Sequence, residues 1–152
     1  MKMNIITGLL ILLMMVILAF SIMPGSPFVD VNWALLSVVM ISLAILIFFI
    51  KFEQKSINSK EIALIATMAS IAGVSRIPFA MLVNVQPTTF IVMITGYVMG
   101  PQTGFVVGAV AALVSNFFLG QGPWTPWQMF SWGICGVIAG LMSRMTKSFN
   151  LP

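Results

Sequence analysis

The chain has 152 residues, of which 60% are hydrophobic and only 7% are charged, with a mean hydropathy of +1.11. Soluble domains carry about 25% charged residues, so this composition excludes a water-soluble globule and makes the lipid bilayer the solvent. Seven Lys and Arg residues against three acidic residues give a net charge of +4. The cations punctuate apolar runs instead of forming a basic patch, so nucleic-acid binding is not expected.

The residues that carry most enzyme chemistry are scarce. Histidine is absent, and the carboxylates are Asp30, Glu53 and Glu61, each beside a predicted loop. A Ser-His-Asp triad, a His-based metal site and paired carboxylates inside the membrane are therefore unavailable. The single cysteine, Cys135, lies in an apolar run, where a small buried hydrophobe is favoured over a reactive thiol. The sequence predicts no enzyme, no metal and no cofactor.

Six apolar runs predict an all-α, polytopic membrane bundle of about six transmembrane helices, since a spanning helix needs about 20 apolar residues. The runs cover residues 5–23, 33–50, 62–83, 88–99, 104–119 and 127–142. The first two, joined by PGSPFVD, predict an N-terminal hairpin over residues 1–50. The alternative for the first run is a cleaved signal peptide, because Lys2 gives a basic start and Ala19-Phe20-Ser21 resembles a weak cleavage site.

The most polar segment, KFEQKSINSKE at residues 51–61, predicts a cytoplasmic basic loop between the hairpin and the last four runs. With the N-terminus inside, six of the seven Lys and Arg residues are cytoplasmic, and only Arg76 lies toward the outside. Because cations are retained on the cytoplasmic side, we expect both termini there. PGSPFVD, NVQP and GQGPWTP are then outside, and GPQTG forms a tight inner turn.

The later runs predict a bundle that encloses a cavity. Residues 88–99 would form a helix of about 18 Å, which does not cross a hydrocarbon core of about 30 Å. Short helices and Pro-rich connections at membrane depth are tolerated where they are buried in protein or line a cavity. We therefore expect an outward-facing cavity in the second half of the chain.

Small residues recur at helical spacing in three runs, and this spacing lets helix backbones approach closely. Packing within the chain is favoured for two of these series, one on Gly104, Gly108 and Ala112 and one on Gly136 and Gly140. For the third series, packing within the chain and contact with another subunit remain equal alternatives. That series pairs Ala66 with Ser70 and Ala69 with Gly73.

Residues 60–145 resemble the core of an S component of an energy-coupling factor (ECF) transporter. The most specific parts are NVQPTTF, GPQTGFVVGAVAALVSNFFLGQGPWTPWQM and the alanine-rich start of the first core helix. The resemblance implies a multi-pass protein of the cell membrane that captures a vitamin or related micronutrient from outside. It also implies docking on a transmembrane coupling subunit that carries two cytoplasmic ATPases.

The resemblance further implies which surface docks and which substrate is bound. In this family a small-residue surface of the first core helix contacts the coupling subunit, and the matching positions are Ala66, Ala69, Ser70 and Gly73. NVQP and GPWTPWQM favour a cobalamin-type or other large substrate. The match supplies four of the usual six core helices, over residues 62–146. We therefore expect either a truncated or split member, or one whose N-terminal hairpin partly compensates.

Polar and aromatic residues collect at the outer ends of the core runs, as in pockets that combine an apolar wall with a few polar groups. The candidate substrate-binding residues are Arg76, Asn84, Gln86, Asn116, Gln121, Trp124, Trp127 and Gln128. Alternatives remain for several residues. Arg76 either snorkels outward or faces a polar interior, where it binds an anionic substrate group or holds the outer loop through Asn84. Asn116 is either a ligand or a link between helices. Trp33 and Trp132 are expected to be interfacial anchors, whereas Trp124 and Trp127 either anchor or bind.

Two other functions compete with substrate capture. A structural or assembly subunit without its own ligand fits the composition, but it does not need polar and aromatic residues collected on one face. An autonomous ion-coupled transporter is disfavoured, since it would be expected to carry an ionisable residue at mid-membrane and the three carboxylates all lie at run ends.

Overall fold

The computed structural model describes residues 5–22, 33–53, 58–82 and 85–148. Over these residues the chain forms six α-helices and no strand, which confirms the predicted all-α bundle. The helices are α1 Ile5–Ile22, α2 Trp33–Glu53, α3 Ser59–Phe79, α4 Pro87–Met99, α5 Pro101–Leu119 and α6 Thr125–Ser148. Within the described ranges, α2, α3 and α5 are long and apolar enough to cross a membrane, whereas α4 has only 13 residues.

Capping residues set several helix ends outside the apolar runs. Pro87 and Pro101 occupy the first turns of α4 and α5, where the missing N–H of proline costs nothing. The predicted basic loop at residues 51–61 is shorter than expected, because α2 continues to Glu53. α3 begins at Ser59, before the apolar run that starts at residue 62, because Asn58 caps it. The Asn58 side chain accepts a hydrogen bond of 2.8 Å from the backbone N–H of Glu61.

Gly100 alone joins α4 to α5, which confirms the tight turn predicted at GPQTG. Its φ angle is 101°, a backbone conformation that residues with a Cβ rarely adopt. The Gly100 N–H donates to the carbonyl of Gly96 at 2.9 Å, so it also closes the last turn of α4. The two helices therefore fold back on each other directly.

α5 is the central helix of the bundle. Of the residues in its membrane-spanning stretch, 61% are buried, against 22% in the corresponding stretches of α2 and α3. Phe105, Val107, Ala109 and Ala111 on α5 have no exposed surface, and they contribute to two apolar clusters shared with α2 and α3. α3, α4 and α6 each pack against α5. Side chains near the end of α5 are therefore reached from three neighbouring helices.

Glycines bring α4, α5 and α6 into backbone contact. A methyl group at Gly104 would lie 2.6 Å from the Cα of Gly96, and one at Gly96 would collide with the carbonyl oxygen of Gly136. A methyl group at Gly140 would lie 2.5 Å from the backbone nitrogen of Pro101. This arrangement agrees with the prediction that the Gly104 and Gly136 series pack within the chain.

The N-terminal hairpin is attached to the core through α2. Among the described residues, α1 packs only against α2, and α2 packs on α5 and α6. The ring of Phe48 stacks on that of Phe105 with centroids 3.9 Å apart, and Phe130 meets Phe105 edge-on at 6.4 Å. An aromatic cluster thus links α2, α5 and α6.

Candidate ligand-binding site

Polar side chains gather at one end of the bundle, where α3 and α5 end and α4 and α6 begin. We call this the site end. Hydrogen bonds connect six of these side chains into one polar network, which consists of Arg76, Ser115, Asn116, Gln121, Thr125 and Gln128. Four of the six were predicted as site residues from the sequence, whereas Ser115 and Thr125 were not.

Asn116 is the centre of the polar network. It is only 1% exposed. Its Nδ2 group donates to Gln128 Oε1 at 2.8 Å and to Thr125 Oγ1 at 3.0 Å, and its Oδ1 accepts from Arg76 at 2.7 Å. Both amide protons are therefore used inside the protein. Of the two sequence-based alternatives for Asn116, the contacts favour the link between helices, here α3, α5 and α6.

Arg76 in the last turn of α3 faces the interior of the site end. Its Nη1 donates to Asn116 Oδ1 and, at 3.0 Å, to Ser115 Oγ. Its guanidinium carbon lies 4.9 Å from the centre of the Trp132 ring, within cation–π range. Asn116 and Ser115 are fully buried, and Trp132 is nearly so. Between the two alternatives for Arg76, the structure supports the polar interior over snorkelling.

Trp132 is not an interfacial anchor, which corrects the sequence-based expectation. It is 9% exposed, and its indole N–H donates to Thr89 Oγ1 on α4 at 3.1 Å. An anchor would present its ring to the membrane boundary, whereas this ring lies beneath Arg76 inside the bundle. Trp132 follows Gln128 by one helical turn, so both side chains belong to the same stretch of α6. The side chain of Trp33 lies outside the described residues.

The connection between α5 and α6 is held by its own hydrogen bonds. Thr125 Oγ1 donates to Gln121 Oε1 at 2.9 Å and accepts from the Gly122 N–H at 3.3 Å. Gln121 Nε2 donates to the carbonyl of Leu113 at 3.2 Å. Gln121 therefore has intramolecular partners on both of its polar atoms. This makes it a residue that shapes the loop, in addition to any contact with a ligand.

Trp124 and Trp127 form part of a separate apolar cavity of about 500 Å³, between α2 and the start of α6. Its wall also contains Leu35, Val38 and Pro123. The two indoles are 51% and 45% exposed. The Trp124 ring covers Gly122, where an added methyl group would meet it directly. The cavity has the size of many small-molecule pockets, which run from about 300 to 1,000 Å³.

The structure does not join all the predicted site residues in one pocket. Gln86 is the exposed N-cap of α4 and makes no capping bond with its side chain, and Asn84 lies outside the described residues. Gln128 bonds Asn116 on α5, whereas the neighbouring Trp127 faces the cavity beside α2. The site end therefore offers an aromatic cavity and a polar network side by side, linked through adjacent residues of α6.

The four small residues predicted to dock a partner divide into two rows on α3. Ala69 is 1% exposed and Gly73 is buried, where an added methyl group would lie 3.1 Å from the carbonyl oxygen of Ala111 on α5. Ala69 and Gly73 therefore pack within the chain, which corrects the assignment of these two residues to a partner surface. Ala66 and Ser70 are exposed.

Comparison with known proteins decides the family. The family model described as ECF-type riboflavin transporter, S component, matches residues 56–150, which is more than half of the chain. The chain belongs to this S component family. The family is one of transporter subunits and not of enzymes, which agrees with the scarcity of catalytic residues.

Similar proteins include UPF0397 proteins of Vibrio and Aliivibrio species. One from Vibrio atlanticus is 31% identical over 96 residues, which is 60% of this chain and 52% of the relative. One from Aliivibrio fischeri is 31% identical over 98 residues, covering 61% of this chain and 53% of the relative. The chain spans about half the length of the curated relatives it matches. No solved structure matches the chain. The family model is named for riboflavin, so these comparisons do not support the cobalamin-type expectation.

Proposed function

We propose that this S component captures a vitamin or related micronutrient from outside the cell and passes it to an ECF importer. The observation that carries this proposal is the pairing, at one end of a membrane bundle, of an apolar cavity lined by two tryptophans with a polar network. A purely structural subunit needs neither feature. Capture requires binding groups and no chemistry, which fits a chain with so few titratable residues.

The aromatic cavity is suited to a planar ring. Trp124 and Trp127 present half-exposed, rigid surfaces, and Pro123 and Pro126 stiffen the chain around them. A flavin-like ring system fits a cavity of about 500 Å³. Riboflavin is therefore the first ligand to test, because the matching family model carries its name. A cobalamin is the comparison ligand, since the sequence motifs favour a larger substrate.

The coupling subunit is proposed to contact the exposed row of α3. Ala66 and Ser70 lie there, and the neighbouring Ile62, Ile71 and Val74 are also exposed, at 50 to 55%. Small side chains allow another helix to approach closely, and the apolar neighbours extend the contact. Two ATPases bound to the coupling subunit would supply the energy for import. α3 leaves this face free because its other side packs on α5.

The orientation follows from the placement of cations and is also a proposal. Lys51, Lys60 and Arg144 lie at the end of the bundle opposite Arg76, on α2, α3 and α6. If cations are retained on the cytoplasmic side, the site end faces outward. Both termini are then cytoplasmic, and the protein lies in the plasma membrane.

The test is ligand retention by the purified protein without partners. Equilibrium dialysis against riboflavin and, separately, against a cobalamin should show saturable binding of at least one of them at one site per chain. Flavin binding should also quench flavin fluorescence, because a ring stacked on tryptophan loses emission. Absence of binding to a wider panel of vitamins would return the chain to a structural or assembly role.

A further inference from the structure

Among the described residues, no carboxylate lies beside the positive charge of Arg76 at the site end. The carboxylates among the described residues are Glu53 and Glu61. Glu61 lies 15 residues before Arg76 on the same helix, a distance of about 22 Å, and Glu53 ends α2 next to the start of α3. Asp30 lies outside the described residues. Within the described part of the chain, the charge of Arg76 is therefore balanced only by dipoles and by the Trp132 ring.

The guanidinium also keeps unused donors. It carries five N–H groups, and both of its hydrogen bonds leave from Nη1, to Ser115 and Asn116. The Nη2 and Nε donors have no acceptor among the residues described. The side chain is half-buried and so remains open to a solute. Within the described residues, one edge of the guanidinium is anchored and the other makes no hydrogen bond.

The surroundings of Arg76 fix its orientation before any ligand arrives. Nη1 is held by two fully buried groups, and the Trp132 ring lies 4.9 Å from the guanidinium carbon. The ring is itself held by the bond from its indole N–H to Thr89. A guanidinium fixed in this way loses little entropy when it binds, and its planar edge matches the two oxygens of a carboxylate or phosphate.

We infer that Arg76 is the specificity-determining residue of the site, and that it binds an anionic group, a carboxylate or phosphate, on the captured solute. The inference rests on the proposed function, since it places the ligand at the site end. It predicts that a ring compound carrying a carboxylate or phosphate binds more tightly than a neutral one such as riboflavin. A phospholipid headgroup offers the same chemistry, so the experiment below includes a phospholipid titration that distinguishes the two sources.

The test uses inorganic phosphate as the probe, on full-length protein purified in a maltoside detergent without phospholipid. Thermal unfolding is followed with phosphate and with chloride at equal ionic strength, for the wild type and for Arg76→Gln and Arg76→Lys. Arg144→Gln is the matched control, because Arg76 and Arg144 are the two arginines of the sequence. A short-chain phosphatidylglycerol is titrated in a parallel arm. A ligand that binds only the folded state raises the melting temperature as its concentration rises.

Phosphate should raise the melting temperature of the wild type and of Arg144→Gln. Arg76→Gln should weaken the apparent phosphate affinity by about 10- to 150-fold, the loss expected for a charge-assisted hydrogen bond. Arg76→Lys keeps the positive charge and serves as the conservative variant. It should lose only part of the phosphate affinity. The inference is overturned if phosphate gives no shift, if the shift survives Arg76→Gln, or if only the phospholipid gives an Arg76-dependent shift.

These outcomes are separable from those of the proposed function. A vitamin that binds with equal affinity to the wild type and Arg76→Gln would support capture and overturn the role of Arg76. An Arg76-dependent phosphate effect without retention of any vitamin would support the anion site and count against the proposed class of substrate.

Discussion

Asn116 shows what a polar residue in an apolar helix can and cannot reveal from sequence. Its position marked it as important, because a buried amide needs hydrogen-bond partners. The sequence did not reveal which partners these would be. Arg76 of α3, 40 residues away, donates to its Oδ1, and Gln128 and Thr125 of α6, 12 and 9 residues away, accept its two amide protons. The residues missed at the site, Ser115 and Thr125, are small hydroxyl residues that are common in any membrane helix.

The first prediction is that Asn116→Leu destabilises the protein. The change removes an acceptor from Arg76 and a donor from Gln128, and a buried polar group left without a partner costs about 1–3 kcal/mol. The melting temperature of the purified protein should therefore fall. Gln86→Leu is the control, because its exposed side chain makes no capping bond. Equal stability of the two variants would show that the polar network does not hold the helices together.

The rows of small residues on α3 show the limit of sequence reasoning about an element. Ala66 with Ser70 and Ala69 with Gly73 both have a spacing of four residues, and the two rows lie only about 60° apart around the helix. A period in the sequence identifies such rows but does not say which one packs inside the chain. The position of α5, which is set by Ala111 and its neighbours, decides that Ala69 and Gly73 are buried.

The second prediction separates docking from folding on α3. Ala66→Leu and Ser70→Leu should reduce co-purification with the coupling subunit and leave the melting temperature unchanged, because these side chains are exposed. Ala69→Leu and Gly73→Leu should instead lower the free energy of unfolding by about 1–3 kcal/mol, because they overpack the contact with α5. Their melting temperatures should fall accordingly. The docking proposal is wrong if the exposed pair has no effect on co-purification.

The third prediction concerns the contact of α4, α5 and α6. Gly104→Ala places a methyl group 2.6 Å from the Cα of Gly96, so backbones must separate, at a cost of about 1–3 kcal/mol. Ser70→Thr, which adds one methyl group at an exposed position, is the matched control. Thermal unfolding of the two variants in detergent is the measurement. A Gly104→Ala protein as stable as the control would mean that these helices pack less closely than described.

At the scale of the whole molecule, apolar runs and turn residues were sufficient to predict six helices and their order. The ends were less accurate because polar residues extend several helices. α6 begins at Thr125 and continues to Ser148, beyond the apolar run at residues 127–142. The separation of the aromatic cavity from the polar network was not predictable either. It depends on how α6 is rotated against α2 and α5, and no local pattern records that rotation.

The fourth prediction is topological. In a Cys135→Ala background, single cysteines at Ser26 and Gln121 should react with a membrane-impermeant thiol reagent added to intact cells, because both positions are expected outside. A cysteine at Asn58, between α2 and α3, should react only after the cells are opened. Protection of Ser26 and Gln121 together with labelling of Asn58 would reverse the orientation and place the site end in the cytoplasm.

The central claim is that the site end binds a solute, and the most direct test is a binding titration of the purified protein with the vitamin that it retains. Trp127→Ala should weaken binding by about 5- to 150-fold, since stacking of a ring on an aromatic side chain contributes about 1–3 kcal/mol. Gln128→Leu should weaken binding by a similar factor, because it removes an amide proposed to orient the ligand and leaves Asn116 Nδ2 without its acceptor at the site end. Phe117→Ala is the control, because Phe117 is 72% exposed outside the cavity. Affinity that falls in the first two variants and not in the control supports capture at the site end. Unchanged affinity in both Trp127→Ala and Gln128→Leu, with helicity intact by circular dichroism, would contradict it.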